Sequence, residues 1–364
     1  MRKKIEIQIG NVTIGDGHPC VVIPEAGDNH HGKLDNAKKL ALAAKEAGAE
    51  IIKFQLHLPD EEMDRKGMKE TSSKMFAKWN DLYGFISENL LSVDDHAKLI
   101  KYCKEIGIQY FCTPFSSKAA EILKEIGGDV GYKIGSGETE DLPMIEDVAK
   151  YRKPMIISTG MTTFPEIDAT VETMRQYNTP FALAHCISTY PPKSPKELYL
   201  GVIRNLQERY GVLVGISDHT APEGIKDNHG EAITEKEIVW GALGQGACFI
   251  EKHFTLDRNA PDADSRFSHD KNTLKQLIET VKNAEEAMDG TRNVFDSEKE
   301  VWIWAKRSLF AKENIPKDKI LTKEMITSKR PGTGIRSKNY KNIIGMTSKV
   351  NIKKDDMLHL EDFV

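Results

Sequence analysis

Apolar residues along this chain gather in short runs rich in β-branched side chains. Each run ends in polar groups and is followed by a stretch with apolar positions three and four residues apart. Eight runs have this form: CVVIPEAG from 20, EIIKFQL from 50, IQYFCTPF from 108, GYKIGSGE from 131, MIISTGM from 155, FALAHC from 181, VLVGISDH from 212 and ACFIEKHF from 247. The intervening stretches DNAKKLALAAKEAG from 35, KAAEILKEIG from 118, PMIEDVAKY from 143 and KNTLKQLIETVKNAEEAM from 271 have helical spacing, the first with a stop at Gly48. Alternating strands and helices predict right-handed βαβ units on a parallel sheet. Eight units over about 270 residues is the size of a (β/α)8 TIM barrel. A doubly wound sheet would carry a glycine-rich dinucleotide loop after its first strand. The first run here is followed by EAGDNHHG from 25, which lacks that pattern.

Three segments break the rhythm. Residues 1–19 alternate around Gly-Asn and Gly-Asp-Gly, the pattern of a β-hairpin, expected to close the N-terminal end of the barrel. Residues 57–93 form a long polar, Met-rich insertion with Trp79 and Tyr83, expected to be a functional cover or disordered. An extended loop follows the seventh strand, and its part at 221–236 is expected to shape a substrate pocket. Beyond the barrel domain at 1–288, residues 289–304 read as a linker. Short β runs with Lys-, Asp- and Gly-bearing turns then predict a small, mainly β domain at 305–364. A unit this small is marginal alone and is expected to dock on a barrel, its own or a partner's.

Composition narrows the class. The 364 residues carry a net charge of −4, with 39% hydrophobic and 29% charged residues, which fits a soluble cytoplasmic protein. No apolar run approaches the ~18 residues of a membrane span, and MRKKIEIQIG at the start lacks the apolar stretch of a secretory signal. A near-neutral balance argues against nucleic-acid binding. Cys20, Cys103, Cys112, Cys186 and Cys248 show no metal-ligand spacing and read as reduced thiols.

In a parallel barrel the active site lies at the C-terminal ends of the strands. Here those ends supply Glu25, then Lys53 and Gln55, then Thr113, then Lys133 with Ser136 and Glu138, then Ser158. His185 with Ser188 and Tyr190, then Ser217 with Asp218 and His219, and finally Glu251 and His253 complete the circuit. Inward charges are costly unless a partner or ligand compensates them, so a full rim of polar ends predicts a catalytic cavity. Two lysines among hydroxyl donors suit a phosphate or carboxylate. A barrel lysine can also form a Schiff base with a carbonyl substrate. His219 and His253 could share a divalent metal with open positions, leaving Glu25 and Glu138 for proton handling or for holding hydroxyls.

The stretches IPEAGDNHHG from 23, IIKFQ from 51, CTPFS from 112, KIGSGE from 133, STGM from 158, STYP from 188, GISDHT from 215, IEKHFTLDR from 250 and KRPGTGI from 329 together resemble the sialic acid synthase family. They occur in family order across nearly the whole chain, and the C-terminal segment resembles the family's antifreeze-like (SAF) domain. The resemblance implies a metal-dependent condensation of phosphoenolpyruvate with an N-acetylated hexose, giving a nonulosonic acid and phosphate. It assigns Lys53, Gln55, Thr113, Lys133, Ser136, Ser158 and Ser217 to phosphoenolpyruvate. It assigns His219 and His253 to the metal, with Mn2+ first and Mg2+ or Co2+ as alternatives. Glu25 and Glu138 fall near the reacting carbons, Ser188 and Tyr190 border the sugar, and Asp264 matches an aspartate that contacts the sugar or a metal-bound water. Arg330 matches an arginine that enters the neighbouring subunit's barrel, which implies a domain-swapped homodimer. Pro24 and Asp28 depart from the usual first motif. APDADSRFS from 260 is nearer to the variant of pseudaminic acid synthases. The acceptor therefore stays open between N-acetylmannosamine and diacetamido-trideoxyhexoses. A Schiff-base pyruvate aldolase on the same barrel, or a carbohydrate- or ice-binding protein without catalysis, are the alternative readings.

Overall fold

The computed structural model describes residues 4–71, 74–227, 229–260 and 264–364. The chain divides into two compact units, Met1–Asp289 and Gly290–Val364. The first unit opens with β1 (Glu6–Ile9) and β2 (Val12–Gly15), an antiparallel hairpin that turns at Gly10 and Asn11. The barrel strands are β3 (Val21–Glu25), β4 (Ile51–Leu56), β5 (Gln109–Pro114), β6 (Tyr132–Ile134), β7 (Met155–Ser158), β8 (Phe181–Cys186) and β9 (Leu213–Asp218). After a short hairpin of β10 (Ile225–Lys226) and β11 (Ala232–Ile233), β12 (Phe249–His253) supplies the eighth.

All eight predicted runs are strands of one parallel sheet, in the order β5-β4-β3-β12-β9-β8-β7-β6. The two end strands, β5 and β6, lie against one another, so the sheet is a nearly closed barrel. Helices Leu34–Ala47 and Val93–Ile106 pack outside it. Each ends on a glycine in the left-handed region, Gly48 at φ +101° and Gly107 at φ +72°, where a side chain would strain the backbone.

Period-2 alternation divides each strand between an outer face under the helices and an inner face. Toward the N-terminal ends the inner face is apolar. Ile23, Ile51, Phe111, Ile156, Ala182, Leu213 and Phe249 form one cluster with Ile7, Ile9, Val12 and Ile14 of the hairpin. The hairpin thus plugs the bottom of the barrel with side chains that are almost fully buried. The upper half of the same inner face is polar and forms the site described below.

The insertion after β4 is an ordered set of short helices, Pro59–Glu62, Arg65–Glu70, Lys74–Trp79 (3-10) and Leu82–Asn89. Phe85 and Ile86 are its buried centre, with Met63, Phe76, Trp79 and Leu82 packed around them. In the second unit, β13 (Ser308–Ala311) pairs antiparallel with β14 (Ile326–Lys329). Isolated bridges extend this pairing over a core of Leu309, Ile315, Leu321, Ile343, Ile352 and Leu358. Among the described residues no helix is long and apolar enough to cross a membrane.

Candidate active site

The inner-face register that buries Ile51, Leu213 and Phe249 brings Lys53, Ser217 and Glu251 into the barrel centre. One cavity of about 840 Å³ opens above them. Every first-unit residue that the resemblance assigns lines it: Glu25, Lys53, Gln55, Thr113, Lys133, Ser136, Glu138, Ser158, Ser188, Tyr190, Ser217, His219, His253 and Asp264. Arg330 lies in the second unit, exposed, its Nε donating to the Ala305 carbonyl at 3.2 Å.

At the floor, four buried charges alternate. Lys53 forms an ion pair with Glu25 and donates to Thr113 Oγ1 at 3.0 Å. Glu251 stands 3.8 Å from Lys53 Nζ and 3.8 Å from Lys133 Nζ, and accepts from Ser217 Oγ at 3.1 Å. Lys133 donates to Ser158 Oγ at 2.6 Å. Burial penalises the Lys53 charge, but Glu25 and Glu251 outweigh it and raise its pKa. For Lys133 burial wins over the attraction of Glu251, and its pKa falls. Lys133 is therefore the cation short of counter-charge. Ser136, Ser188 and Cys186 converge beside it on Gly160, where a Cβ would lie 2.4 Å from Ser188 Oγ and 2.6 Å from Ser136 Oγ. Only glycine leaves room for these hydroxyls.

The opposite side is aromatic and acidic. Tyr190 packs 4.2 Å from the His219 ring, and the His219 and His253 rings are 5.2 Å apart. His219 donates from Nδ1 to the Ile187 carbonyl at 2.8 Å, which leaves Nε2 as the lone-pair nitrogen. His253 Nδ1 is buried without a hydrogen-bond partner, 3.3 Å from an Asp264 oxygen. An anchored imidazole beside a second imidazole that faces a carboxylate is a donor set that fits a divalent metal. Among the described residues no third His, Cys, Asp or Glu completes a metal-binding group, so such an ion would keep open positions.

Two expectations need correction. None of the described residues of the 221–236 loop lines the cavity. Ile225 and Ile233 pack instead with Leu198 and Ile238 on the flank of the barrel. Residues 261–263 of the 260–268 stretch lie outside the described residues. His185 and Asp218 at strand ends face outward, His185 to the Leu198 carbonyl at 2.8 Å and Asp218 to Lys252 at 2.9 Å. Conversely, Asp28, His57 and Glu62 line the cavity with no role foreseen, as do Met63, Met68, Phe76 and Phe85 of the insertion. His57 continues the spacing of Lys53 and Gln55 by one more step of two, a signal the sequence does carry.

A model of the NeuB family matches residues 40–293, and one of the SAF domain matches residues 306–364. The chain belongs to the NeuB family. It is similar to the N,N'-diacetyllegionaminic acid synthase of Legionella pneumophila, at 32% identity over 95% of this chain and 96% of that one. The pseudaminic acid synthase of Campylobacter jejuni shares 32% identity over 98% of this chain and 100% of its own length. The crystal structure of an N-acetylneuraminic acid synthetase from Leptospira borgpetersenii, in complex with citrate, superposes with a TM-score of 0.70 at 28% identity. It covers 82% of this chain and 95% of that one. Within this NeuB-family cavity, the carboxyl group of Asp28 is buried.

Burial raises the Asp28 carboxyl from 3.8 to about 6; the His57 charge opposes this rise, and Asp264, Glu25 and Glu62 add to it. A raised carboxyl favours the protonated folded state, so its contribution is fully present below the unfolded value near pH 4. It is lost as pH rises through about 6. Asp28→Asn should therefore stabilise the fold by about 2 kcal/mol at pH 8 and by almost nothing at pH 4. Urea unfolding at the two pH values checks this, and an equal effect at both would contradict it.

Proposed function

We propose that the chain condenses phosphoenolpyruvate with an N-acetylated hexose to give a nonulosonic acid and phosphate, acting in the cytoplasm. The observation that carries this reading is the division of one cavity into a charged, hydroxyl-rich floor around Lys53 and Lys133 and an acidic wall of Asp28 and Asp264. The first side presents donors and suits a small polyanion. The second presents acceptors and suits a ligand rich in hydroxyl and amide N–H groups. The names of the relatives from Legionella, Campylobacter and Leptospira point the same way.

In this reading Lys53 and Lys133, with Gln55, Thr113, Ser136, Ser158 and Ser217, hold the phosphate and carboxylate of phosphoenolpyruvate. Carbon 3 attacks the aldehyde carbon of the open-chain sugar, forming the new C–C bond. Positive charge develops at carbon 2, where the Glu25 carboxylate stabilises it. Water adds at carbon 2, and the phosphate leaves with its C–O electron pair. Glu138, whose carboxyl burial raises above its ordinary range, is suited to proton transfer at the rim. Ser188, Tyr190 and Asp264 border the sugar. A divalent metal on His219 and His253, Mn2+ first with Mg2+ or Co2+ as alternatives, would supply polarisation of the aldehyde oxygen.

The insertion lines one side of the cavity with Met63, Met68, Phe76, Leu82, Phe85 and Ile86. An apolar side of this kind favours an acceptor with methyl-bearing groups, a diacetamido-trideoxyhexose, over N-acetylmannosamine. Arg330 is proposed to reach the sugar in a neighbouring subunit of a domain-swapped homodimer. Arg330→Ala should raise the acceptor KM about tenfold with the KM for phosphoenolpyruvate unchanged, and unaltered acceptor kinetics would remove that role.

The lowered pKa of Lys133 favours one competitor, a Schiff-base aldolase. Phosphate release from phosphoenolpyruvate separates the two. It should require both an acceptor sugar and a divalent metal, stop with chelator and return with Mn2+, and be faster with a diacetamido-trideoxyhexose. Borohydride with pyruvate should leave the enzyme active. Inactivation by borohydride, together with no phosphate release from any sugar in the presence of metal, would replace this reading by the aldolase.

A further inference from the structure

His57 lies just past β4, buried, with its ring stacked on Phe115 at 4.1 Å. Its Nδ1 is 2.8 Å from Glu62 Oε2, and its Nε2 is 3.0 Å from Gln55 Oε1. The other Glu62 oxygen accepts the Leu58 backbone N–H, so Glu62 is held by the first helix of the insertion. Gln55 in turn donates from Nε2 to Glu25 Oε1 at 2.9 Å. These contacts form one line from the insertion to the barrel floor: Glu62, His57, Gln55, Glu25, Lys53.

The orientation of that line is forced by counting donors. Glu25 is ion-paired with Lys53, so it is ionised and can only accept. The Gln55 amide must then turn its NH2 toward Glu25 and its oxygen toward His57. Glu62 is a second acceptor on the other ring nitrogen. Both imidazole nitrogens consequently face acceptors, and only the doubly protonated ring satisfies both.

We propose that His57 is a positioning residue: clamped as an imidazolium by Glu62, it fixes the orientation of the Gln55 amide and thereby holds the Glu25 carboxylate in place. The role in turnover rests on the reading above, in which Glu25 serves the reacting carbon; the ring's protonation state does not. The surroundings agree with the cation. Burial opposes it, while the Glu62 hydrogen bond and the charges of Asp28, Glu62 and Glu138 raise the His57 pKa. The two other histidines that sense it, His30 and His96, are pushed down by burial to about 3 and about 4 and stay neutral.

Two measurements on the full-length chain test this. In 15N-histidine-labelled protein, with His57 assigned by its loss in His57→Gln, both ring nitrogens should carry protons at pH 7.5. A single protonated nitrogen would overturn the proposal whether or not the chain makes a nonulosonic acid. In kinetics, His57→Gln and Glu62→Gln should each lower kcat about a hundredfold through misplacement of Glu25. Both KM values should stay within about twofold, the pattern of an interaction used in the transition state. Gln55→Leu should lower kcat similarly and also raise the KM for phosphoenolpyruvate, and His57→Gln added to it should lower kcat no further. A rise of about tenfold in acceptor KM with kcat kept would make His57 a sugar contact instead. Additive losses in the double variant would break the chain through Gln55. If wild type releases no phosphate with any sugar, the functional reading fails while the nitrogen signals still decide the protonation state.

Discussion

The Glu251 carboxylate stands between two buried lysines, and the rest of the barrel is arranged around that constraint. Removing Lys53 and Lys133 from water costs several kcal/mol each unless counter-charges meet them. Glu25 and Glu251 meet Lys53, whereas Lys133 has its more distant share of Glu251 and two neutral acceptors, the Ser158 hydroxyl and the Ile134 carbonyl. The floor therefore carries uncompensated positive character at Lys133. In the proposed function an anion completes it. The hairpin plug keeps the lower barrel dry, which makes these interactions stronger and their balance more exacting.

The same constraint explains how the cavity divides. Strand register carries the donors of β4, β5, β6, β7 and β9 to one end of the inner face. The acidic and aromatic groups come from the chain beyond β3, from the chain beyond β8, and from the loop after β12. The insertion adds an apolar side and, through Glu62 and His57, a second hold on Glu25. One rigid sheet thus presents two chemically distinct surfaces in one cavity, and the insertion reaches both.

Much of this was legible in the sequence, because strands in a barrel repeat every two residues and end where chemistry happens. Ile51, Lys53 and Gln55 show it on one strand, and Phe249, Glu251 and His253 on another. The same rule applied carelessly misleads. His185 and Asp218 are strand-end residues one position out of phase, and they face helices and loops. Glu251 was visible beside His253, yet its meaning depends on Lys53 and Lys133, which come from other strands. Asp28 lies beyond regular strand, where periodicity gives no direction, whereas His57 keeps the period of Lys53 and Gln55 just past the end of β4. The 221–236 loop misled because length alone does not say which way a loop folds. Its isoleucines find an apolar patch on the barrel flank. Arg330 sits in a separate unit, so its part in a site depends on assembly, which one chain's pattern does not encode.

The central claim is that Lys133 is a cation awaiting an anion. Calorimetric titration of phosphoenolpyruvate alone, without acceptor sugar, tests it most directly. Wild type should bind with a favourable enthalpy that weakens at high salt. Lys133→Met, which keeps the length and removes the charge, should weaken binding at least about thirtyfold. Equal affinity in the two proteins would show that the buried lysine serves the barrel and not the ligand.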